Sequence, residues 1–230
     1  MKTIGIFGGM GPEATFEFYG KIVRYTDAGK DQEHIPCIIF SNTQVPERTE
    51  SILSGDNSIV KVLHDSVRLL EEAGADLIVI PCNTVHYWIG EMRSAVKIPI
   101  VDMIDETAKY VKAKGHEKIG LLGTTGTVRT GIYDKVFKAH GITVIKPENQ
   151  EKVMEIIKRI KAGDTSESQR KAIEREIAKL RGTGSEIIVL GCTELPLLFR
   201  ESMPDYVIDP MDILATKAIE MAGMEPKNIF

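Results

Sequence analysis

Two cysteines, each placed directly after a short apolar run, are the side chains in this sequence best suited to chemistry. Cys82 follows the run Leu77–Ile80 and Pro81, and Cys192 follows the similar run Ile187–Gly191. Such runs are typical of strands buried on both faces of a parallel sheet, and ligands of α/β sheets bind at the carboxyl ends of the strands. A thiol next to a helix start also meets exposed N–H groups, which favour the thiolate.

The cysteine segments are one of three landmarks that occur twice in the same order. Gly5 in I-G-I-F-G corresponds to Gly120 in I-G-L-L-G at an offset of 115 residues, and Cys82 corresponds to Cys192 at an offset of 110. The segment V-D-M-I-D corresponds loosely to I-D-P-M-D at an offset of 107. Because the offset between corresponding landmarks changes only slowly along the chain, the sequence predicts a duplicated unit. The expected fold is α/β, with two similar parallel-sheet, Rossmann-like domains. The active site is expected in the cleft between them, where the two cysteines would meet.

The duplication also predicts the domain boundaries. Residues 1–102 and 211–230 are assigned to the first domain, and residues 103–210 to the second. The last helix, Pro210–Ala222, corresponds to Asp105–Lys114 of the first half, and one or both of these helices are expected to cross over to the other half. Further strands are predicted at Thr3–Phe7, Cys37–Ser41, Ile98–Val101, Lys118–Leu122 and Ile142–Ile145. Further helices are predicted at Pro12–Asp27, Asn57–Ala73, His86–Ala95, Glu151–Lys161 and Ser166–Leu180, with another that ends at His140.

Composition excludes several classes of protein. The 230 residues are 43% apolar and 27% charged, as in ordinary globular domains. A formal net charge of −4 argues against nucleic acid or an anionic membrane as a partner. No run is long enough to span a bilayer, and the N-terminus lacks the pattern of a signal peptide. Three widely spaced cysteines form neither a disulfide framework nor a metal site, and Cys37 is interpreted as core. We therefore expect a cytoplasmic protein.

A glycine-rich turn follows the first predicted strand. The segment Gly9–Ala14 fits the dinucleotide pattern G-x-G-x-x-A, but the second strand ends in Ser41–Gln44 without the acid that would bind a ribose. The glycines are therefore interpreted as bringing backbone N–H groups close to a small anion. The helix after the turn is predicted to bury one apolar stripe, made up of Phe16, Tyr19, Ile22 and Val23.

Two cations have positions that allow either a surface role or a binding role. Arg48 lies in the predicted loop Thr43–Thr49, where an arginine is usually solvated, although its planar fork also suits a carboxylate. Lys161 is the last residue of a predicted helix, and the pattern alone favours a cation that stabilises the helix C-terminus.

The duplicated cysteines favour proton transfer over other cysteine chemistry. A cysteine hydrolase would need a histidine base, and His86 either serves as one or packs under the strand ends, but Cys192 would remain unexplained. A metal site would need more ligands close by, and redox pairs more often show C-x-x-C spacing. Inversion of a carbon centre explains a facing pair, because a thiolate removes a proton from one face while a thiol supplies one to the other.

Five segments carry a resemblance to a known family. They are G-G-M-G-P-E-A-T (Gly8–Thr15), P-E-R-T (Pro46–Thr49), C-N-T-V-H (Cys82–His86), K-A-G (Lys161–Gly163) and G-C-T-E (Gly191–Glu194). In this order and spacing, over essentially the whole chain, they resemble the aspartate/glutamate racemase family. The resemblance implies a racemase that needs no cofactor and is often a homodimer, with its site between two α/β domains. The substrate it implies is an amino dicarboxylic acid, with interconversion of L- and D-aspartate.

The resemblance also implies roles for individual residues. Cys82 and Cys192 match the two catalytic bases, and Arg48 and Lys161 match the cations that hold the carboxylate distant from the reacting carbon. The remaining substrate contacts are implied at Asn83, Thr84 and Val85, for the α-carboxylate, and at Thr49, Thr124 and Thr193.

Other functions stay open at this point. A glutamate or broader-specificity racemase, or a maleate-type isomerase, would use the same cysteines with different side-chain pockets. Members of the wider superfamily with one cysteine carry out decarboxylation or isomerisation, so the presence of both favours racemisation. It also argues against a non-catalytic binding protein that shares the fold.

Overall fold

The computed structural model describes residues 1–199 and 202–227, which form two compact units. Residues 1–106 and the segment that starts at Met211 form the first unit, and residues 107–210 form the second. Each unit contains one parallel sheet flanked by helices, which confirms the predicted α/β class. No helix in these ranges is both long and apolar enough to cross a membrane.

The elements follow one another in a largely alternating order of strands and helices. The strands are β1 (Ile4–Gly8), β2 (Cys37–Ser41), β3 (Leu77–Val79), β4 (Lys118–Gly123), β5 (Thr143–Ile145), β6 (Ile187–Gly191) and β7 (Val207–Ile208). The α-helices are α1 (Pro12–Tyr25), α2 (Arg48–Ser54), α3 (Ser58–Glu72), α4 (Ile89–Ala95), α5 (Met103–Ala113), α6 (Thr125–Arg129), α7 (Ile132–Ala139), α8 (Gln150–Lys161), α9 (Glu167–Gly182) and α10 (Pro210–Met221). Short 3-10 helices span Asp31–Glu33, Thr84–Trp88 and Leu195–Phe199.

The first unit is a three-stranded sheet, in the order β2-β1-β3, with helices on both faces. Ile4 and Ile6 of β1 pack on one face with α1 and α10, so the last helix returns to the first sheet. The other face is covered by α3, whose apolar residues at the predicted helical spacing are buried. Gly74, with a φ of +95°, follows the end of this helix. Two hydrophobic layers therefore hold the strand that leads to Cys82.

The second unit is a four-stranded sheet in the order β5-β4-β6-β7. Leu122 of β4 and two residues of β6, Ile188 and Leu190, pack on one face with α8 and α9. Cys192 and the 3-10 helix that follows it belong to the same hydrophobic cluster. The second cysteine is therefore supported by packing of the same kind as the first.

The pairing of the strands confirms the internal duplication. In the first unit Gly5 pairs with Ile78, and in the second Gly120 pairs with Ile188, so the central strands occupy equivalent positions. Ile78 also forms a parallel bridge with Ile100, whose counterpart is the β6–β7 pairing. The sheet order and the direction of the strands are the same in both units.

The buried stripe predicted for α1 is correct at Ile22 but wrong at Phe16, Tyr19 and Val23. Phe16 is 70% exposed, whereas Phe18 and Ile22 are buried against the sheet. The helix has two apolar stripes on different sides, and the sequence pattern does not show which of them faces the core. Tyr19 and Val23, at 38% and 37% exposure, lie on the outer side with Phe16.

Two predicted elements of regular structure are interrupted. The predicted strand Ile98–Val101 is reduced to the bridge at Ile100, because Pro99 has no N–H to donate to a ladder. The single helix predicted to end at His140 is divided into α6 and α7 at Gly131, whose φ of +65° is incompatible with a continuous helix.

Asp212 joins the last helix to the first, and its removal is expected to destabilise the first unit. Its carboxylate accepts hydrogen bonds from Lys21 and from the Tyr25 hydroxyl, the latter at 2.6 Å. Losing these charge-assisted bonds in a partly buried place should lower the free energy of unfolding by roughly 1–3 kcal/mol. Urea unfolding of Asp212→Asn measures this. The control is Asp65→Asn, because the exposed Lys61–Asp65 pair should contribute less than about 1 kcal/mol; equal losses would contradict the prediction.

Candidate active site

Cys82 is positioned by a turn at the end of β3. Its N–H donates to the Ile80 carbonyl at 2.8 Å, so the chain turns sharply around Pro81 and leaves the sheet. The side chain is only 5% exposed. Cys82 therefore lies just beyond the carboxyl end of β3, as predicted, with its backbone fixed by a local hydrogen bond.

His86 contacts the backbone of Cys82 and is not a base for its thiol. Its Nδ1 lies 2.8 Å from the Cys82 carbonyl, and its Nε2 accepts the Met103 N–H at 3.2 Å. These partners require a neutral imidazole that carries its proton on Nδ1. Burial lowers the pKa of His86, so the ring stays neutral. This settles the alternative left open by the sequence in favour of packing under the strand ends.

The residues after Cys82 form a buried 3-10 helix instead of the start of the predicted helix His86–Ala95. Asn83 precedes this helix, and Thr84 and Val85 are its first residues; all three are at most 5% exposed. The α-helix α4 begins only at Ile89. The structure thus places the three predicted α-carboxylate contacts in one compact segment next to Cys82.

Arg48 lies at the first position of α2, not in a loop. The helix is capped by the Glu47 carboxylate, which accepts the Glu50 N–H at 2.8 Å. The guanidinium donates through Nη1 to the carbonyls of Val45 and Pro46 and through Nη2 to that of Met10, at 3.2–3.4 Å. These contacts fix the orientation of the cation and connect it to the glycine-rich turn.

Thr49 follows Arg48 in α2 and lies in the same part of the first unit. It is 7% exposed, and its Oγ1 has no hydrogen-bond partner among the described residues. The helix α2, which carries Thr49 and Arg48, packs against the 3-10 helix that follows Cys82. A buried hydroxyl without a partner is the kind of group that a bound ligand satisfies.

The glycine-rich turn is held by its own helix. Gly9 has a φ of +91°, and its N–H donates to Thr15 Oγ1 at 2.9 Å. A Cβ on Gly8 would lie 2.2 Å from Thr15, and one on Gly9 would lie 2.4 Å from the Asn42 backbone. Here glycine is needed for close packing of Thr15 and Asn42, and the Gly9 amide, expected to meet a small anion, is occupied by Thr15.

Cys192 is the first residue after β6 and lies beside the end of β4. Gly191 pairs in register with Gly123, so Thr124 and Cys192 are the next residues along two neighbouring strands. The Cys192 side chain is 3% exposed. Thr124 caps α6, with its Oγ1 accepting the Thr127 N–H at 3.1 Å. The structure thus brings two of the predicted site residues to one edge of the second sheet.

Glu194 is a buried partner of Cys192 for which the sequence pattern predicts no role. The Cys192 thiol donates to Glu194 Oε2 at 3.0 Å, and the Thr193 hydroxyl lies 3.3 Å from the same oxygen. Glu194 is 4% exposed. The G-C-T-E segment contains a signal for this contact, because a glutamate two residues after a cysteine is unusual at a buried strand end. The direction in which the Glu194 side chain points, however, depends on the turn after β6.

Lys161 completes this cluster in the second unit. It ends α8, as predicted, and its Nζ lies 3.8 Å from Glu194 Oε1 while its side chain is 30% exposed. Burial, followed by the nearby negative charge of Glu194, raises the pKa of Cys192 well above its usual value, and Lys161 partly opposes this shift. Cys192 therefore carries its proton at neutral pH.

The two cysteines have different surroundings despite their equivalent positions. Cys82 has a neutral histidine bonded to its backbone, whereas Cys192 has a carboxylate and an ammonium close to its side chain. No group of three or more histidine, cysteine or acidic residues suited to a metal ion occurs in the described ranges.

Comparison with known proteins gives a consistent result. Residues 7–218 match the Asp/Glu/Hydantoin racemase family. The chain is 29% identical over 222 residues to the broad specificity amino-acid racemase RacX of Bacillus subtilis, which covers 94% of this chain and 96% of that protein. It is 31% identical over 162 residues to a glutamate racemase of Corynebacterium glutamicum, covering 66% of this chain and 58% of that one.

A solved structure shows the same likeness over the whole chain. Picrophilus torridus aspartate racemase superposes with a TM-score of 0.88 at 33% identity, covering 99% of this chain and 96% of that one. The fold, the duplicated strand ends and these matches agree along nearly the entire sequence. The chain belongs to the Asp/Glu/Hydantoin racemase family, and it is an isomerase of the racemase class.

Proposed function

We propose that this protein interconverts L- and D-aspartate without a cofactor, with Cys82 and Cys192 as the two bases. The observation that carries the proposal is the occurrence of a buried cysteine just after the equivalent strand, β3 or β6, in each half of a duplicated fold. Racemisation is the reaction that needs two such groups, because the proton leaves one face of Cα and arrives at the other.

The proposed reaction transfers one proton at each face. A thiolate removes the proton from Cα, the bond electrons remain on the substrate as a carbanion, and the opposite thiol protonates that carbanion. The first cysteine ends as a thiol and the second as a thiolate. Burial and the charge of Glu194 raise the pKa of Cys192, which favours the thiol form that donates a proton to the carbanion.

Two cations support an acidic substrate. Arg48 is held by three backbone carbonyls, so its fork is oriented before a ligand arrives. Lys161 pairs with Glu194 but is 30% exposed, which leaves part of its ammonium accessible to a carboxylate. On a chain with a formal net charge of −4, such local cations are needed to bind a dicarboxylate. The proposal extends to a homodimer, and to the cytoplasm because catalytic thiols must stay reduced.

Deuterium incorporation tests the proposed function. Purified protein is incubated with L- or D-aspartate in D₂O, and Cα deuterium and optical rotation are followed. We expect loss of rotation from both enantiomers, deuterium at Cα of the product, and unchanged rates with hydroxylamine, which would trap a pyridoxal group. Absence of both signals with aspartate would overturn the aspartate proposal.

A second candidate is a glutamate or broader-specificity racemase. The observation that favours it is the similarity to RacX, named for broad specificity, and to glutamate racemases. A maleate-type isomerase would use the same two thiols. The same assay with glutamate, alanine and maleate separates these reactions, and a higher kcat/KM for glutamate than for aspartate would favour the second candidate.

Glu194→Gln is expected to lower the pKa of Cys192, because a negative charge is removed 3.0 Å from the thiol and Lys161 loses its partner. The thiolate fraction below the pKa should rise on the order of 10-fold, and alkylation by iodoacetamide at pH 8 should accelerate equally. The measurement uses protein with Cys37→Ser and Cys82→Ser, so that only Cys192 reacts. Glu148→Gln, at an exposed glutamate, is the control; an unchanged alkylation rate in Glu194→Gln would contradict the prediction.

A further inference from the structure

The ring of His86 joins two backbone groups that are distant from each other in the sequence. Its Nδ1 donates to the Cys82 carbonyl at 2.8 Å, and its Nε2 accepts the N–H of Met103, the first residue of α5, at 3.2 Å. These contacts use both polar atoms of the ring, which is buried. One rigid side chain thus connects the turn that carries the Cys82 thiol to the start of a helix.

The internal duplication shows that the second half of the sequence lacks the residues for this connection. At the offset that relates the two cysteines, the counterpart of His86 is Pro196, whose side chain has no donor or acceptor. The counterpart of Met103 is Pro210, which begins α10 as Met103 begins α5 and has no N–H to donate. The acceptor and the donor therefore occur together in one half and are both replaced in the other.

In the second half, the backbone takes over the contact to the cysteine carbonyl. The Cys192 carbonyl accepts the Leu195 N–H at 3.0 Å, at the start of the 3-10 helix Leu195–Phe199. A backbone bond of this kind does not require a particular side chain, whereas the Cys82 carbonyl is bonded to the His86 ring. The two cysteine turns are thus fixed by different means, although the strands before them are equivalent.

We propose that His86 is a positioning residue for Cys82 and has no part in positioning Cys192. The inference rests on the proposed function, in which Cys82 transfers the Cα proton on one face of the substrate. The Nδ1 contact fixes the turn between β3 and the 3-10 helix, and with it the direction of the Cys82 side chain. The Nε2 contact holds the ring against the start of α5. Because a displacement of about 1 Å can cost about 100-fold in rate, proton transfer by Cys82 should depend on the Nδ1 contact.

Two substitutions separate the contacts of the ring, because each keeps one of them. In His86→Asn the amide nitrogen lies at about the position of Nδ1 and still donates to the Cys82 carbonyl. In His86→Gln the longer side chain places its amide oxygen near the position of Nε2, where it still accepts the Met103 N–H. Both side chains are neutral, and each variant loses one buried hydrogen bond, so their thermal unfolding should be similar. They are therefore matched for stability and differ at Cys82.

Exchange of the Cα proton of aspartate in D₂O measures the effect on each thiol. Each variant is combined with Cys192→Ser, which leaves Cys82 as the base, and separately with Cys82→Ser, which leaves Cys192. With Cys82 as the base, His86→Gln should slow exchange by about 10- to 100-fold, and His86→Asn should restore most of the rate. With Cys192 as the base, neither should change it. His64→Gln, on α3 and 3.9 Å from Glu91, is the control and should leave both rates unchanged.

Equal losses in His86→Gln and His86→Asn, or equal losses with either cysteine as the base, would overturn the inference. Both results would mean that the ring only fills the core. Because racemisation has an equilibrium constant of one, kcat/KM of His86→Gln with both cysteines present should fall by the same factor for L- and D-aspartate. The selective effect is therefore expected only in the single-cysteine backgrounds.

Alkylation of Cys82 tests the inference without relying on the reaction. In protein with Cys37→Ser and Cys192→Ser, only Cys82 reacts with iodoacetamide, and its side chain is 5% exposed. Releasing the turn in His86→Gln should speed alkylation by about 10-fold, because a hydrogen bond that opposes local opening is lost. His86→Asn should leave the rate unchanged. This pattern in a protein that exchanges no aspartate would support the positioning role and overturn the proposed function, whereas equal alkylation of both variants would overturn the positioning role.

Discussion

Replacing either Cys82 or Cys192 by serine is expected to abolish racemisation of both enantiomers. A serine hydroxyl is too weak an acid to supply a useful base at neutral pH, and inversion needs a group on each face. One positioned acid–base group contributes about 10²–10⁴-fold to a rate, so each variant should lose at least this factor in kcat. Because the two thiols act as a unit, the double variant should be no worse than the single ones.

Cys37→Ser is the matched control for this experiment. Cys37 lies within β2, not after a strand end, and burial raises its pKa to about 11. It therefore stays protonated and takes no part in the proposed reaction. Near-normal racemisation by Cys82→Ser or Cys192→Ser, measured by circular dichroism of the substrate, would contradict the two-base mechanism.

Arg48→Ala is expected to reduce kcat/KM for aspartate by roughly 30- to 4,000-fold. Losing a charge-assisted pair in a closed site typically costs roughly 2–5 kcal/mol, and each 1.4 kcal/mol corresponds to about a factor of 10. Arg48→Lys keeps the charge but not the fork, so it should be impaired less. Alanine, which has no second carboxylate, should be affected far less than aspartate.

The position of Arg48 at the start of α2 changes what is expected for stability. A loop arginine would leave thermal unfolding unchanged, but the three carbonyls that Arg48 contacts would lose a donor in Arg48→Ala. We expect a loss of about 1 kcal/mol. Arg48→Gln, which keeps a donor without the charge, is the control for this structural effect. Unchanged kcat/KM for aspartate in Arg48→Ala would remove Arg48 from the substrate site.

Features that depend on local pattern could be predicted from the sequence. The strand before each cysteine is a short apolar run with a clear end, and its duplication predicted two similar parallel-sheet units. The α3 helix was equally clear, because Ile59, Leu63, Val67 and Leu70 repeat at the helical period and only one face is apolar. By contrast, α1 has two apolar stripes, and which one is buried depends on the crossover to β2.

Features that depend on contacts distant in sequence could not be predicted. Burial keeps His86 neutral, and the N–H that its Nε2 accepts comes from Met103, 17 residues later. Glu194 contacts Cys192 because the chain turns at the end of β6. If the strand continued, a spacing of two residues would place both side chains on the same side without bringing them into contact. Arg48 starts a helix because Glu47 caps it, a signal hidden in a segment without periodicity.

The most direct test of the two-base mechanism is the exchange of the Cα proton in each single cysteine variant. Cys82→Ser and Cys192→Ser are incubated separately with L- and D-aspartate in D₂O, and Cα deuterium is measured without inversion. Each surviving thiol reaches one face only, so one variant should exchange the L enantiomer and the other the D enantiomer. Exchange of the same enantiomer by both variants, or of both enantiomers by either one, would contradict the assignment of Cys82 and Cys192 to opposite faces of the substrate.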